Sequence, residues 1–101
     1  MKPSISIGTA QFGSSYGITN KEGIIMNEEI QKILCYAKNQ NIKMLDTAPE
    51  YGNAEEKIGK ILNKKNIFKI TSKFPFQKEL IFSRNNYKEW DLIINKTLES
   101  L

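Results

Sequence analysis

The chain has 101 residues, 40% hydrophobic and 26% charged, the proportions of an ordinary globular unit with a small core. No apolar run approaches the ~20 residues needed to cross a bilayer, and a single cysteine, Cys35, excludes an intrachain disulfide or a cysteine metal cluster. The net charge of +4 comes almost wholly from lysines interleaved with acidic residues, which describes a solvated surface better than a nucleic-acid-binding stripe. The opening Met1-Lys2-Pro3-Ser4 runs directly into Ile5 and Ile7 without the pattern of a signal peptide. A cytoplasmic protein without membrane, nucleic-acid or metal partners is therefore expected.

In chain order, Pro3 to Thr9 alternates apolar and small polar residues and predicts a first strand. A turn-rich stretch follows, marked by Gly13, Ser14, Ser15, Gly17, Asn20 and Gly23. Asn27 has the character of a helix N-cap, with Glu28 and Glu29 in the first turn. Ile30, Ile33, Leu34 and Ala37 then form one apolar helical stripe, which Asn39, Gln40 and Asn41 close. Cys35 on this helix reads as a small, semi-buried apolar residue rather than a reactive thiol.

Ile42 to Asp46 predicts a second strand, followed by a Pro- and Gly-punctuated loop, Thr47-Ala48-Pro49-Glu50-Tyr51-Gly52. Asn53 and Glu56 have capping-box spacing, and Ala54, Ile58, Ile61 and Leu62 form the buried face of a second helix. Gly59 inside that helix costs ~1 kcal/mol of helix propensity, which close approach of the helix to the sheet would offset. The pair Lys64-Lys65 falls at the helix end, where cations suit the macrodipole. Ile67 to Lys73 is the third strand, ended by Phe74-Pro75, and residues 76–86 read as loop. Tyr87 to Leu101 predicts a third helix with Trp90, Ile94, Thr97, Leu98 and Leu101 on one side. Strands alternating with helices imply a parallel sheet covered by helices, either doubly wound or part of a barrel, with open sheet edges that need further strands.

Three polar positions fall at strand ends, where βα proteins carry their chemistry. Gly8-Thr9-Ala10 ends the first strand, Asp46 the second and Lys73 the third, and Tyr51 stands five residues beyond Asp46. Together Asp, Tyr and Lys make sense as a proton donor. A free tyrosine, with a pKa of ~10, is a poor acid at neutral pH. A lysine ammonium favours its phenolate, and a carboxylate keeps that lysine charged and oriented. Taken one at a time, each has a plainer reading. Asp46 could stabilise a turn, Tyr51 be a half-exposed loop aromatic, Lys73 one surface lysine among many and Gly8 a turn glycine. Glu50 and Glu55 read as solvated or helix-capping, and Trp90 as core packing.

The segments Ile7-Gly8-Thr9-Ala10-Gln11-Phe12-Gly13, Leu45-Asp46-Thr47-Ala48-Pro49-Glu50-Tyr51-Gly52 with Ala54-Glu55 and Ile58-Gly59, and Ile70-Thr71-Ser72-Lys73 resemble the aldo-keto reductase family in order and spacing, across essentially the whole chain. The Asp-Thr-Ala-x-x-Tyr-Gly segment is the specific part. The resemblance implies an α/β fold made of the N-terminal three βα units of a TIM (β/α)8 barrel, parallel strands with outer helices. Residues 1–101 would be a single partial domain, truncated before the fourth strand and far short of the ~250 residues of a closed barrel. It further implies an NADPH-dependent carbonyl oxidoreductase, with NADH possible, acting on a small-molecule carbonyl substrate without metal. Asp46, Tyr51 and Lys73 would hold three places of a catalytic tetrad, with Tyr51 as general acid, and Gly8, Thr9, Ala10 and Asp46 would bind the cofactor. The fourth member is a histidine at the end of the fourth strand, and this chain contains none. The 101 residues alone are accordingly expected to be inactive. The alternatives are a non-catalytic binding or regulatory relative, or an inactive gene remnant.

Overall fold

A computed structural model of the protein describes residues 4–65, 67–74 and 84–101. Three short strands, β1 (Ser6–Gly8), β2 (Met44–Asp46) and β3 (Lys69–Thr71), lie parallel in the order β1-β2-β3. The register aligns Ser6 with Met44 and Lys69, Ile7 with Leu45 and Ile70, and Gly8 with Asp46 and Thr71. Because side chains alternate across a strand, Ile7, Leu45 and Ile70 share one face, and Gly8, Asp46 and Thr71 share the other at the C-terminal ends. Only three residues of each predicted strand enter the ladder, so the strands are shorter than the apolar patterns around them. The outer edges of β1 and β3 have no partner strand among the described residues.

Among the described residues four helices connect or follow the strands: α1 (Ala10–Gly13), α2 (Asn27–Asn39), α3 (Ala54–Leu62) and α4 (Arg84–Ser100). None among the described residues is long and apolar enough to cross a membrane. The core is one cluster formed by Phe12 of α1, Ile30, Leu34 and Ala37 of α2, Leu45 of β2, Ala54, Ile58 and Leu62 of α3, and Phe68. Each large side chain buried there contributes about 1.5–3 kcal/mol of transfer free energy. The apolar stripes predicted for α2 and α3 supply most of this core.

Several local expectations are corrected. The stretch after β1 opens with a single helical turn, α1, rather than an open turn, because burial of Phe12 draws the backbone in. Helix α2 starts at Asn27 itself, with Met26 in the cap position and no side-chain cap. The bond from the Ile30 amide to the Met26 carbonyl (3.0 Å) already closes the first turn, and Glu28 and Glu29 favour the positive helix end. Cys35 is exposed, one position round the helix from buried Leu34. Asn53 does cap α3, but its side chain makes no capping bond. Glu56 instead pairs with Lys60 at 2.6 Å, and that hydrogen bond lowers its carboxyl pKa.

Helix α4 begins at Arg84, three residues before the predicted start, and the remainder of the predicted loop, residues 76–83, lies outside the described residues. Its inner face also differs. Trp90, Ile93, Thr97 and Ser100 are half-buried, whereas Ile94 and Leu98 are 37% and 69% exposed. Thr97, on the inner face in either arrangement, is anchored on α3 as described below. Trp90 packs edge-on against Tyr87, with ring centroids 5.4 Å apart, and against Phe74 at 5.9 Å. Gly59 permits a close approach, but to α4 rather than to the sheet: a Cβ there would meet the Ser100 carbonyl oxygen and lie 3.3 Å from the Leu101 Cα. Asn41 (φ 60°) and Asn63 (φ 48°) take the left-handed conformation after α2 and α3, the role expected of asparagine there.

Candidate active site

The strand register brings Gly8, Asp46 and Thr71 level at the C-terminal rim of the sheet. The chain is pinned just beyond the ladder. The Thr9 amide and hydroxyl both donate to the Asp46 carbonyl at 3.0 Å, which locks the end of β1 to that of β2. The Thr47 amide donates to the Thr71 carbonyl at 2.8 Å and does the same for β2 and β3. Thr9 and Thr47 are fully buried, so the rim is a rigid seat for the side chains beside it.

Lys73, two residues past β3, reaches across this rim. Its Nζ donates to Asp46 Oδ1 at 2.6 Å and to the Thr47 carbonyl at 3.0 Å, and lies 5.2 Å from the centroid of the Tyr51 ring. Asp46, Tyr51 and Lys73, separated by up to 27 positions in sequence, are thus brought together. The Lys73 and Asp46 side chains are 44% and 43% exposed, so the pair is open to a small molecule. The hydrogen bond to Asp46, aided by the charges of Tyr51 and Asp46, raises the Lys73 pKa above its ordinary value against a smaller opposing effect of desolvation. Lys73 therefore stays an ammonium through the neutral range, and its charge is lost only on the alkaline side. Competitive amine acylation near pH 9, read by mass spectrometry, should label Lys73 more slowly than the exposed Lys38. Equal rates would show that the ion pair does not hold in solution.

Backbone bonds hold the Tyr51 loop on both sides of the residue. Its amide donates to the Ala48 carbonyl at 3.1 Å, and its own carbonyl accepts from the Ala54 amide at 3.0 Å. Gly52 follows at φ 56°, and a Cβ on it would strike the Gly13 carbonyl oxygen. Conversely, a Cβ on Gly13 would strike the Tyr51 carbonyl oxygen and lie 2.5 Å from the Ala54 amide nitrogen. The two glycines let the end of α1 press directly on the tyrosine loop. Lys57 reinforces the contact by donating to the Phe12 carbonyl at 2.8 Å.

The open ground beside the trio lies at Gly8. A Cβ there would find nothing within 4 Å, and its backbone is not in the left-handed region. Internal packing thus does not require a glycine at this position, whereas a flat ligand lying on the backbone would. Ala10 starts α1 next to it and is half-buried. This open backbone, with Asp46 beside it on the neighbouring strand, leaves room for a flat group against the end of β1. Among the described residues no cluster of three or more His, Cys, Asp or Glu could hold a metal ion. An apolar recess between Phe74 and Ile93, Ile94 and Leu98 of α4 also opens beside Lys73, but Tyr51 and Asp46 do not line it.

The reading of Glu55 as solvated or helix-capping is also corrected. Glu55 is only 9% exposed, and instead of capping α3 or facing solvent it accepts hydrogen bonds from Ser72 Oγ at 2.5 Å and Thr97 Oγ1 at 3.0 Å. Its spacing to Ile58 and Leu62, i+3 and i+7 on the buried face of α3, is the sequence signal that places it inside.

The family model described as the Aldo/keto reductase family matches residues 4–101 of the chain. Sequence comparison with curated proteins gives no significant match. Among solved structures, the chain is similar to two that each represent a proposed aldo-keto reductase from Pseudomonas aeruginosa. One is 27% identical over 95% of this chain with a TM-score of 0.74; the other is 26% identical over 95% with a TM-score of 0.72. The alignments cover 37% and 35% of those chains, so this chain spans about a third of their length.

Proposed function

The chain belongs to the aldo/keto reductase family, corresponding to the N-terminal portion of its barrel, and on that premise we propose that the full-length protein reduces small aldehydes or ketones to alcohols with NADPH, or NADH in its place. The observation that carries this reading is the placement of Lys73 between the Asp46 carboxylate and the Tyr51 ring on the rim of the sheet.

The roles follow from that placement. Tyr51 gives its phenolic proton to the carbonyl oxygen of the substrate. The Lys73 ammonium stabilises the negative charge left on the phenol oxygen. Asp46 keeps Lys73 charged and aimed, so that neither ion is left unpaired. Gly8, Thr9 and Ala10 would form the floor for the nicotinamide, with Gly8 offering open backbone and Thr9 fastening that floor to β2. Asp46 would also hold the ribose. When bound, the cofactor supplies the hydride, and the protein supplies orientation and the proton.

The test is NADPH oxidation, followed by absorbance, with a generic aromatic aldehyde and the full-length protein. Substrate-dependent loss of NADPH with formation of the alcohol is expected. Tight binding of NADPH without turnover across a panel of aldehydes and ketones would favour a non-catalytic relative instead.

A further inference from the structure

We propose that Glu55 is a positioning residue for Lys73, anchoring the segment after β3 so that the lysine reaches Asp46 and Tyr51; this deepens the catalytic reading above and rests on it. The ladder between β2 and β3 ends at Thr71, whose carbonyl takes the last bond, from Thr47. Ser72 and Lys73 therefore leave the sheet without ladder bonds. Ser72 is held instead by its hydroxyl, which donates to Glu55 Oε1 at 2.5 Å. That length is typical of a charge-assisted O–H···O bond.

The second carboxylate oxygen, Oε2, accepts from Thr97 of α4 at 3.0 Å. Glu55 thus joins the first turn of α3, the exit of β3 and the inner face of α4 at one point. A nearly buried carboxylate is costly unless its oxygens are hydrogen-bonded. Here each oxygen has one hydroxyl donor, neither of them a cation, so Glu55 forms a polar rivet rather than an ion pair. The residue it secures is the immediate neighbour of Lys73. The charged and titratable groups facing the lysine are Asp46 from β2 and Tyr51 from the following loop, and their geometry depends on where the lysine backbone begins. A displacement of about 1 Å in such a group costs catalysis on the order of 100-fold.

The test compares Glu55→Ala, Glu55→Gln and Ser72→Ala in the full-length protein with wild type. Two readouts are used: steady-state kinetics with NADPH and an aldehyde, and the Lys73 titration followed by NMR of its 13Cε group. Glu55→Ala is expected to lower kcat by about 10- to 100-fold with KM little changed, and to move the Lys73 titration down towards that of an ordinary lysine. Glu55→Gln should retain most of both properties, because its amide can accept from one hydroxyl and donate to the other. Ser72→Ala removes one bond of the rivet and should reproduce a smaller version of the loss; it also serves as the deciding variant if Glu55→Ala does not fold. The proposal is overturned if the deciding variant is folded with the wild-type Lys73 titration, whatever its stability or rate. A shifted titration in Glu55→Ala, alongside a fully active Tyr51→Phe, would uphold the anchor while removing the catalytic reading. The NMR titration needs no turnover, so the two failures are distinguishable.

Discussion

Replacing Tyr51 by phenylalanine in the full-length protein is expected to lower aldehyde reduction by about 10²- to 10⁴-fold, the usual contribution of a positioned general acid. The substitution removes one oxygen and keeps the ring over which Lys73 sits, 5.2 Å from its centroid. It also leaves the backbone bonds of the loop untouched, since these run from the Tyr51 amide to Ala48 and from the Ala54 amide to the Tyr51 carbonyl. Stability should therefore change little, and NADPH binding, followed by fluorescence, should stay within a few-fold of wild type. The loss should appear in kcat, because the proton is needed in the transition state and not for ground-state binding. A Tyr51→Phe protein with wild-type kcat would assign the proton to another group. Asp46 and Lys73 would then be only a surface ion pair, worth about 0.2–1 kcal/mol to the fold.

The second large effect is structural. Gly52→Ala should destabilise the protein by roughly 3 kcal/mol or more, from two additive causes. At φ 56° an L-residue incurs roughly 1–2 kcal/mol. Its Cβ would also collide with the Gly13 carbonyl oxygen, a backbone atom that no rotamer change can move aside. Gly13→Ala fails for the reciprocal reason, with the Tyr51 carbonyl and the Ala54 amide in the way. Either change pushes the tyrosine loop off the end of α1, so activity should fall together with stability. Gly8→Ala is the informative control. Nothing in the protein lies within 4 Å of the added methyl, so stability should be near wild type while cofactor affinity falls. Denaturant midpoints at constant m-value measure the first effect; a nucleotide titration measures the second. Equal midpoints for Gly52→Ala and wild type would mean that the α1–loop contact is looser in solution. A Gly8→Ala protein with unchanged cofactor affinity would remove Gly8 from the nucleotide site.

How much of this was legible beforehand differs residue by residue. Period and punctuation alone determined the three βα units and, because a helix must bury one face wherever it packs, the buried stripes of α2 and α3, as well as the asparagine-rich close of α2. The same reading put Asp46 at the end of β2, where it lies, and Lys73 at the end of β3, whereas the strand stops at Thr71 and Lys73 stands two residues beyond it; parallel strands still carry both to one rim. The Asp-Thr-Ala-x-x-Tyr-Gly segment carried the family. What remained hidden depended on distances between segments remote in sequence. The sequence-based assignment of Glu55 to the surface or a helix cap overlooked that its hydroxyl partners lie 17 and 42 positions away, on β3's exit and α4. The inner face of α4 takes in Ile93 and Ser100 in place of Ile94 and Leu98, beside the expected Trp90, Thr97 and Leu101; the bond that ties Thr97 to Glu55 is one that hydropathy does not carry. Gly59 announced a close approach without naming its partner, which proved to be the end of α4. Gly13 and Gly52 each read as an ordinary turn glycine, and only the fold shows that they need one another. Local pattern thus determined the order of strands and helices and the rim on which the candidate site residues fall. Tertiary packing alone decided which side chains and backbones meet there, because burial, hydrogen-bond satisfaction and excluded volume act between segments whose separation no local window contains.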